Sequence, residues 1–276
     1  MSDNKPKVAA IQMATSPNVS ANLLEAERLI TEAAESGAGL IVLPENFAFK
    51  GEHDREMCTL RERPGDGPLQ GFLSQTAQRL GVWLVGGTIP MEAADGAKVR
   101  ASSLVFNDRG EQVARYDKIH LFDVELVEAD ERYEESNTIE PGEQAQVVDT
   151  PFGRLGLTVC YDLRFPELFR QLLDLGAEVF VVPAAFTAMT GKAHWEILVR
   201  ARAIENLAFV VAAAQGGYHI NGRETHGHSM IVDPWGMVLA QVPRGAGFVS
   251  VELDRDYQRT IRRTFPTIEH RRVAVD

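Results

Sequence analysis

The chain alternates short apolar runs with amphipathic segments, and this alternation is the feature that most restricts its possible folds. An apolar run that begins at Lys7 and another at residues 40–44 are typical of buried strands, and residues 20–35 between them have helical spacing. The same order returns as a helix pattern at 69–80 and a strand pattern at 82–88. Strand–helix–strand order predicts a sheet covered by helices. The apolar residues assigned to the first helix are Leu23, Leu24, Ala26, Leu29, Ile30 and Ala33.

Hairpin patterns interrupt this alternation in the middle of the chain. Residues 102–116 and 146–159 each contain two strand-like runs joined by a turn. Strands and helices then alternate again over 166–214, and a further hairpin at 229–242 is followed by a strand and a short helix. The polar, Gly-rich stretch 216–228 is predicted to be a mobile loop. The pattern therefore predicts an α/β protein with a mixed sheet.

The chain has no Pro- or Ser-rich linker that would separate two folding units. We therefore predict a single domain over residues 1–276, with its core at about 7–253. The C-terminal segment 254–276 is a candidate for a subunit interface.

Three reactive side chains follow three predicted strands. Glu45, Lys118 and Cys160 each come directly after an apolar or alternating run. Ligands of α/β sheets bind beyond the carboxyl ends of the strands, so these three side chains are candidates for one site. A thiol nucleophile needs a base, which a carboxylate can provide, and a donor for the developing oxyanion, which an ammonium can provide. Taken singly, Glu45 is better explained as a surface carboxylate and Lys118 as a solvated loop residue. Cys160 alone is better explained as a small buried apolar side chain.

Charge, hydropathy and cysteine content argue against a nucleic-acid-binding protein, a membrane protein and a disulfide-rich secreted protein. The formal net charge of -11 is a poor match to nucleic acid or to an anionic membrane, both of which favour basic patches. No apolar stretch approaches the roughly 20 residues that span a bilayer, and the polar N-terminus does not resemble a secretory signal. With only Cys58 and Cys160, a disulfide framework is excluded, and we expect a cytoplasmic protein.

The segments around the three strand ends resemble the motifs of the nitrilase (carbon-nitrogen hydrolase) superfamily. LPENF around Glu45 resembles its general-base motif, YDKIHLFD around Lys118 its lysine motif, and VCYDLRFPELFR around Cys160 its nucleophile elbow. RARAIEN, VVAAAQ and GHSMIVDPWG are similar to the Nit-type amidase branch, especially the deaminated glutathione amidases. The resemblance extends from about Lys7 to Arg272, and it is the order of the three motifs that makes it specific.

The resemblance implies a four-layer α-β-β-α sandwich and an amidase that works through a thioester. It gives Glu45 the role of base and acid, Cys160 that of nucleophile, and Lys118 with the N–H of Tyr161 that of oxyanion donors. A second glutamate before a Pro-Gly pair maps to Glu135, by its spacing to Pro141-Gly142, with Glu134 as its neighbour in sequence.

Two further motif positions are implied to bind the substrate. Arg164 and Thr190 would contact a 2-oxo acid group, because arginine matches a carboxylate with two hydrogen bonds. An ion pair of Arg164 with Asp162 or Glu167 is an equally good reading of the sequence. The implied substrate is a small-molecule amide, either deaminated glutathione or, for an ω-amidase, 2-oxoglutaramate or 2-oxosuccinamate.

The remaining alternatives are a nitrilase, a redox thiol protein and a catalytically silent binding protein on the same fold. The intact trio Glu45, Lys118 and Cys160 argues against a silent protein, and the absence of a C-x-x-C pair argues against redox chemistry. The chemistry requires no cofactor and no metal, and His226 with His228 is too small a set to predict a metal site. The resemblance also implies a homodimer or larger homo-oligomer.

Overall fold

The computed structural model describes residues 6–127 and 131–273, which form two large sheets packed face to face with helices on the outside. The predicted α/β class and four-layer arrangement are confirmed. The predicted domain ends at 1–5 and 274–276 lie outside the described residues.

The first sheet has parallel strands at its centre and antiparallel strands towards its edges. Its strand order is β17-β1-β2-β3-β5-β4, and β6 also pairs with β5. The strands are β1 Lys7–Gln12, β2 Leu40–Val42, β3 Trp83–Val85, β4 Ile89–Glu92, β5 Val99–Phe106, β6 Gln112–Asp117 and β17 Gly247–Glu252. Because β1, β2 and β3 are parallel, their carboxyl ends meet at one edge of the sheet.

Both faces of this sheet are buried, which explains its continuous apolar runs. Val8 and Ala10 of β1 face the second sheet, whereas Ala9 and Ile11 face the covering helices. This alternation follows from the two-residue period of a strand. A run that is apolar at every position is therefore what a central strand of a layered fold requires.

The second sheet repeats this arrangement with its own covering helices. Its order is β16-β15-β12-β11-β10-β9, with β10, β11 and β12 parallel. The strands are β9 Gln146–Thr150, β10 Gly153–Leu157, β11 Val179–Ala184, β12 Phe209–Ala214, β15 Ser229–Val232 and β16 Val238–Val242. The predicted hairpins at 146–159 and 229–242 are formed by β9–β10 and β15–β16.

The helices form the two outer layers. They are α1 Val19–Glu35, α2 Pro68–Leu80, α3 Pro166–Asp174, α4 Ala188–Thr190, α5 Glu196–Asn206 and α6 Arg255–Thr264. A π-helical turn, Gly191–Trp195, joins α4 to α5. Proline begins α2 and α3, where its missing N–H does no harm.

One residue of α1 was assigned to the wrong face. Leu24 is 68% exposed, and the buried stripe instead begins at Asn22 and continues through Ala26. The Asn22 side chain donates to the carbonyls of Ser16 (2.7 Å) and Ala48 (2.9 Å), which satisfies its amide in the interior.

Two small hairpins lie outside the main sheets. Strands β7 Asp123–Leu126 and β8 Glu131–Glu134 form one of them. Strands β13 Gly216–Tyr218 and β14 Glu224–His226 form the other, so the prediction of a loop over 216–228 was wrong for these two strands, and residues 219–223 form the turn between them. Its glycines and polar residues hide the alternating pattern by which a strand is recognised.

The last helix docks on the second sheet and its helices. The Gln258 side chain donates to the carbonyls of Glu178 and Leu207, and Arg262 also donates to Leu207. Among the described residues, no helix is long and apolar enough to cross a membrane.

Candidate active site

Three strand ends bring Glu45, Lys118 and Cys160 into one cavity. Glu45 follows β2 of the first sheet, Lys118 follows β6, and Cys160 follows β10 of the second sheet. The residues are 4%, 2% and 7% exposed, respectively, so their functional groups meet almost out of contact with solvent. The two sheets thus each contribute to the site.

The ammonium of Lys118 lies between two carboxylates. Its Nζ donates to Glu45 Oε1 at 2.9 Å and to both oxygens of Glu135 at 2.8 and 2.9 Å. Glu135 is oriented by the Phe122 N–H, which donates to its Oε2 at 2.6 Å. The neighbouring Glu134 instead pairs with Arg132, so it is Glu135 that the structure places against Lys118.

Cys160 occupies a tight turn at the start of a short 3-10 helix, Cys160–Arg164. Its φ is +49°, a left-handed conformation that is unfavourable for a residue with a Cβ. Such conformations are found where the surrounding structure enforces them, often at functional sites. The Ala185 N–H at the end of β11 lies 3.5 Å from the Cys160 sulfur and donates to it.

Burial and mutual charge shift the proton affinities of this cluster. Burial raises the pKa of the Cys160 thiol well above its usual range, and the charge of Glu45 raises it further, against the influence of Lys118. For Lys118, burial acts to lower the pKa, but Glu135 and Glu45 outweigh it and the pKa is raised. Burial also raises the pKa of Glu135, although Lys118 opposes the shift. At rest, the site therefore holds a protonated thiol and a protonated ammonium.

A buried aspartate ties the lysine strand to the cysteine turn. Asp162, which is fully buried, accepts hydrogen bonds from the Tyr116 hydroxyl (2.7 Å) and the Val159 N–H (2.8 Å). It also accepts from the His120 N–H at 3.1 Å, and the His120 Nδ1 lies 2.7 Å from it. This carboxylate therefore fixes Cys160 relative to Lys118.

Replacement of Tyr116 by phenylalanine tests this link. Tyr116→Phe removes one donor from a buried carboxylate, and we expect the free energy of unfolding to fall by about 1.5–3 kcal/mol. Urea unfolding of the variant and the wild type measures this difference. A difference below about 0.5 kcal/mol would show that the Tyr116–Asp162 hydrogen bond contributes no more to stability than a weak surface contact does.

The backbone beside Glu45 is held from both sheets. Gln215, at the end of β12, donates from Nε2 to the Glu45 carbonyl at 2.9 Å and to Thr15 Oγ1 at 2.6 Å. Asn46 has a φ of +57°, and its N–H donates to Thr88 Oγ1 at 2.8 Å. Asparagine tolerates this conformation better than most residues. The general-base motif is thus fixed by contacts from outside its own strand.

Two glycines permit close backbone approach next to the site. At Gly87, with a φ of +54°, a Cβ would overlap the carbonyl oxygen of Pro44, the residue before Glu45. At Gly142, a Cβ would overlap the Asp117 carbonyl oxygen, and the Gly142 N–H donates to the Lys118 carbonyl at 2.8 Å. Side chains at either position would displace the strand ends that carry the reactive groups.

Arg164 and Thr190 also lie on the cavity wall. Neither expected ion pair of Arg164, with Asp162 or with Glu167, forms among the residues that the structure covers. The guanidinium instead approaches the Phe186 ring at 5.1 Å and donates to His194 Nδ1 at 3.2 Å. The Thr190 hydroxyl is 2.8 Å from that of Thr187.

The cavity encloses about 1040 Å³, including its open mouth. Besides the residues already described, its wall includes Tyr161 of the cysteine turn and two further cations, Lys50 and Arg223.

No group of three or more potential metal-ligating side chains (His, Cys, Asp or Glu) occurs within residues 6–127 and 131–273. The rings of His226 and His228 stack with centroids 4.3 Å apart. Burial, with a smaller contribution from His228, lowers the pKa of His226 to about 4. His226 is therefore neutral at pH 7, and the two histidines make a stacking contact with each other.

Several residues that shape the site could not be identified from the sequence alone. The position of Asp162, two residues after Cys160, marks it as part of the turn but does not reveal its partners on β6. Gln215 is the last residue of the VVAAAQ segment quoted for the resemblance, and the sequence assigned it no role. Lys50 and Arg223 lie in segments without a recognisable pattern, so only the folded chain shows that they share a cavity.

Comparison with known proteins shows similarity along nearly the whole chain. A sequence profile of the carbon-nitrogen hydrolase family matches residues 7–263. The deaminated glutathione amidase of Yersinia enterocolitica is 45% identical over 269 residues, which cover 96% of this chain and 92% of that protein. The human deaminated glutathione amidase is 41% identical over 270 residues, which cover 97% of this chain and 82% of that protein.

A solved structure shares the architecture. The crystal structure of Saccharomyces cerevisiae Nit3, described as a member of branch 10 of the nitrilase superfamily, superposes with a TM-score of 0.87. The two sequences are 32% identical, and the match covers 98% of this chain and 97% of the yeast chain.

Proposed function

The chain belongs to the carbon-nitrogen hydrolase family, as its motifs predicted, and we propose that it cleaves its amide substrate through a thioester on Cys160. It is an amidase, a hydrolase of carbon–nitrogen bonds other than peptide bonds. The observation that best supports the proposed residues is the burial of Glu45, Lys118 and Cys160 in one cavity, with Lys118 bonded to Glu45 at 2.9 Å.

The first half of the reaction forms the thioester. Glu45 accepts the thiol proton as Cys160 attacks the amide carbonyl, and the carbonyl oxygen gains negative charge. Lys118 and the N–H of Tyr161 stabilise this oxyanion. Glu45 then gives the proton to the leaving nitrogen, and the amine departs.

The second half regenerates the enzyme. Glu45 accepts a proton from a water molecule, which attacks the thioester, and the acid product leaves as the proton returns to Cys160. One carboxylate thus transfers protons in both halves, as a base and then as an acid.

The raised pKa of Lys118 makes it an oxyanion donor rather than a base. Because the charges of Glu135 and Glu45 raise the pKa of Lys118, this side chain remains an ammonium at neutral pH and can donate hydrogen bonds throughout the cycle. Glu135 keeps this ammonium in place with two short hydrogen bonds. Glu45, the other carboxylate that contacts Lys118, is the proposed base.

The proposed substrate is deaminated glutathione, cleaved to 2-oxoglutarate and cysteinylglycine. Both relatives compared above carry that activity in their names and match this chain over most of their length. Arg164 supports this choice because its guanidinium faces the cavity without a carboxylate partner among the described residues. It is available for the 2-oxo acid group, with Thr190 as a further donor.

A conservative replacement of Arg164 tests its role. Arg164→Lys keeps the charge but loses the planar fork that binds a carboxylate with two bonds. We expect kcat/KM for 2-oxo acid amides to fall by about 10- to 100-fold, the cost of charge-assisted hydrogen bonds, and to fall much less for neutral amides. Equal losses for both substrate classes would assign Arg164 a structural role.

The proposed substrate is tested by parallel turnover of deaminated glutathione and 2-oxoglutaramate, with Cys160→Ala as the blank. A kcat/KM at least tenfold higher for deaminated glutathione, about 1.4 kcal/mol in transition-state binding, supports the proposal. A preference for 2-oxoglutaramate would make the protein an ω-amidase. Turnover of neither would overturn the proposed substrate.

We further propose that the protein is one domain, acts in the cytoplasm and assembles into a homodimer or larger homo-oligomer. The use of a free thiol as nucleophile fits a reducing compartment. A monomer mass by light scattering would contradict the assembly.

A further inference from the structure

Besides Arg164, which belongs to the cysteine turn, the cavity has two cationic side chains that come from other segments. They are Lys50, which follows the Glu45 motif, and Arg223, which lies between β13 and β14. Neither side chain makes an ion pair with any residue in the described part of the chain. Two unpaired cations on one cavity wall are costly unless a ligand supplies the opposite charge.

Lys50 is held close to the reactive groups. Its backbone N–H donates to the Ser16 carbonyl at 3.2 Å, which fixes the segment after Glu45. Burial lowers the pKa of its ammonium, and the charges of Glu45 and Cys160 partly offset this effect. An anion beside Lys50 would therefore be bound in a poorly solvated place, where its charge interacts strongly.

Arg223 is oriented by contacts with the neighbouring β7–β8 hairpin. Its guanidinium lies 4.2 Å from the centroid of the Tyr133 ring, and its Nη2 donates to the Arg132 carbonyl at 3.2 Å. The remaining donors of this group are free to bind a carboxylate, whose geometry an arginine matches.

His219 connects the two cations. Its backbone N–H donates to the Arg223 carbonyl at 3.0 Å, and its ring is near enough to Lys50 for that charge to affect it. Burial, followed by the charge of Lys50, lowers the pKa of His219 to about 4, so the ring is neutral at pH 7. Lys50 and Arg223 both line the cavity, and the charge of Arg223 acts to lower the pKa of Lys50, so the two cations are close enough to interact.

The acidic residues on this wall do not cancel both cations. Glu134 pairs with Arg132 at 2.6 Å, and Glu224 pairs with Arg244 at 3.3 Å. Asp54 remains, and its charge favours the ammonium of Lys50 without forming an ion pair with it.

The chemistry of the proposed reaction orients the substrate. The leaving nitrogen must lie beside Glu45, because that residue protonates it. If the part of the substrate beyond this nitrogen follows the segment after Glu45, it reaches Lys50, and the acid half is left for Arg164 in the cysteine turn.

We propose that Lys50 and Arg223 form a carboxylate subsite for the amine half of the substrate. The subsite selects amides whose leaving amine carries a carboxylate about two residues away, a distance of roughly 7 Å in an extended chain. This inference rests on the proposed function and adds to it: the enzyme distinguishes a dipeptide leaving group from ammonia by the charge at the far end. The carboxylate of cysteinylglycine is the occupant that fits.

The test compares deaminated glutathione with the same compound bearing a C-terminal carboxamide. The two substrates share the acid half and the scissile bond and differ only in the leaving-group charge. The ratio of their kcat/KM values is measured for the wild type, Lys50→Met and Arg223→Gln. Lys192→Met is the matched control, because it removes an exposed lysine that does not line the cavity.

We expect the wild type to favour the carboxylate by about 10- to 100-fold, the range for hydrogen bonds to a charged group. Each variant should reduce this ratio at least about fivefold, mainly through KM, whereas Lys192→Met should keep it. A wild-type ratio near one, or variants that keep the wild-type ratio, would overturn the subsite. Failure of the wild type to cleave either compound would instead reject the proposed substrate, so the two failures are distinguishable.

Discussion

Cys160→Ala is expected to lower amide turnover by about 10⁴–10⁶-fold, the scale of loss when a covalent nucleophile is removed. The sulfur lies in the buried cluster with Glu45 and Lys118, and no other cysteine of the described residues lines the cavity. Because alanine fits the space of cysteine, the free energy of unfolding should change by no more than about 1–2 kcal/mol. Steady-state kinetics and urea unfolding measure the two effects separately.

Cys58→Ala provides the matched control for this prediction. Cys58 is partly exposed and lies outside the cavity, packed against the small cluster of Val99, Ala101 and Ile139. Its replacement should leave turnover near the wild-type value. Substantial turnover by Cys160→Ala, or inactivation by Cys58→Ala, would end the thioester mechanism.

Glu45→Gln is expected to produce two opposite effects on the same thiol. The amide cannot accept a proton, so kcat/KM should fall by about 10²–10⁴-fold, the usual contribution of a general base. The charge of Glu45 also raises the pKa of Cys160, so its removal should move the titration of the thiol to lower pH. The variant should thus form thiolate more readily and yet hydrolyse amides more slowly.

The pH dependence of Cys160 alkylation by iodoacetamide measures the second effect, in a Cys58→Ala background. Glu134→Gln is the control: it removes a carboxylate from the same cavity wall that does not contribute to the Cys160 shift, and the midpoint should stay at its wild-type position. A midpoint in Glu45→Gln that is unchanged or higher would show that Glu45 does not interact with the thiol.

The positions of the reactive side chains could be predicted because they depend on local patterns. Glu45, Lys118 and Cys160 each follow a run whose pattern identifies it as a strand, and side chains beyond the carboxyl ends of strands are candidates for one site. The continuous apolar runs likewise predict a covered sheet, whereas the four-layer arrangement was implied by the resemblance to the family.

Contacts between distant segments could not be predicted in the same way. Asp162 binds Tyr116, 46 positions away, and Gln215 binds the carbonyl of Glu45 across the two sheets. The partners of such residues cannot be predicted from a single sequence. A buried polar side chain needs a hydrogen-bond partner, but its residue type does not determine which residue that partner is.

The assignments for Leu24 and residues 216–228 show a second limit. Leu24 lies on the exposed side of α1, and Asn22 takes a place in the buried stripe because the Ser16 and Ala48 carbonyls satisfy its amide. Strands β13 and β14 are held by backbone pairing within a polar, Gly-rich segment. In both cases, hydrogen bonds to other parts of the backbone decide the outcome rather than hydropathy.

The thioester on Cys160 is tested most directly by mass spectrometry. The protein is quenched with acid during turnover of deaminated glutathione, its mass is measured, and the modified peptide is mapped. The account predicts a 2-oxoglutaryl group attached as a thioester to Cys160 in the wild type and absent from Cys160→Ala. An adduct on any other residue, or sustained turnover by a protein whose Cys160 peptide never carries the acyl group, would contradict it.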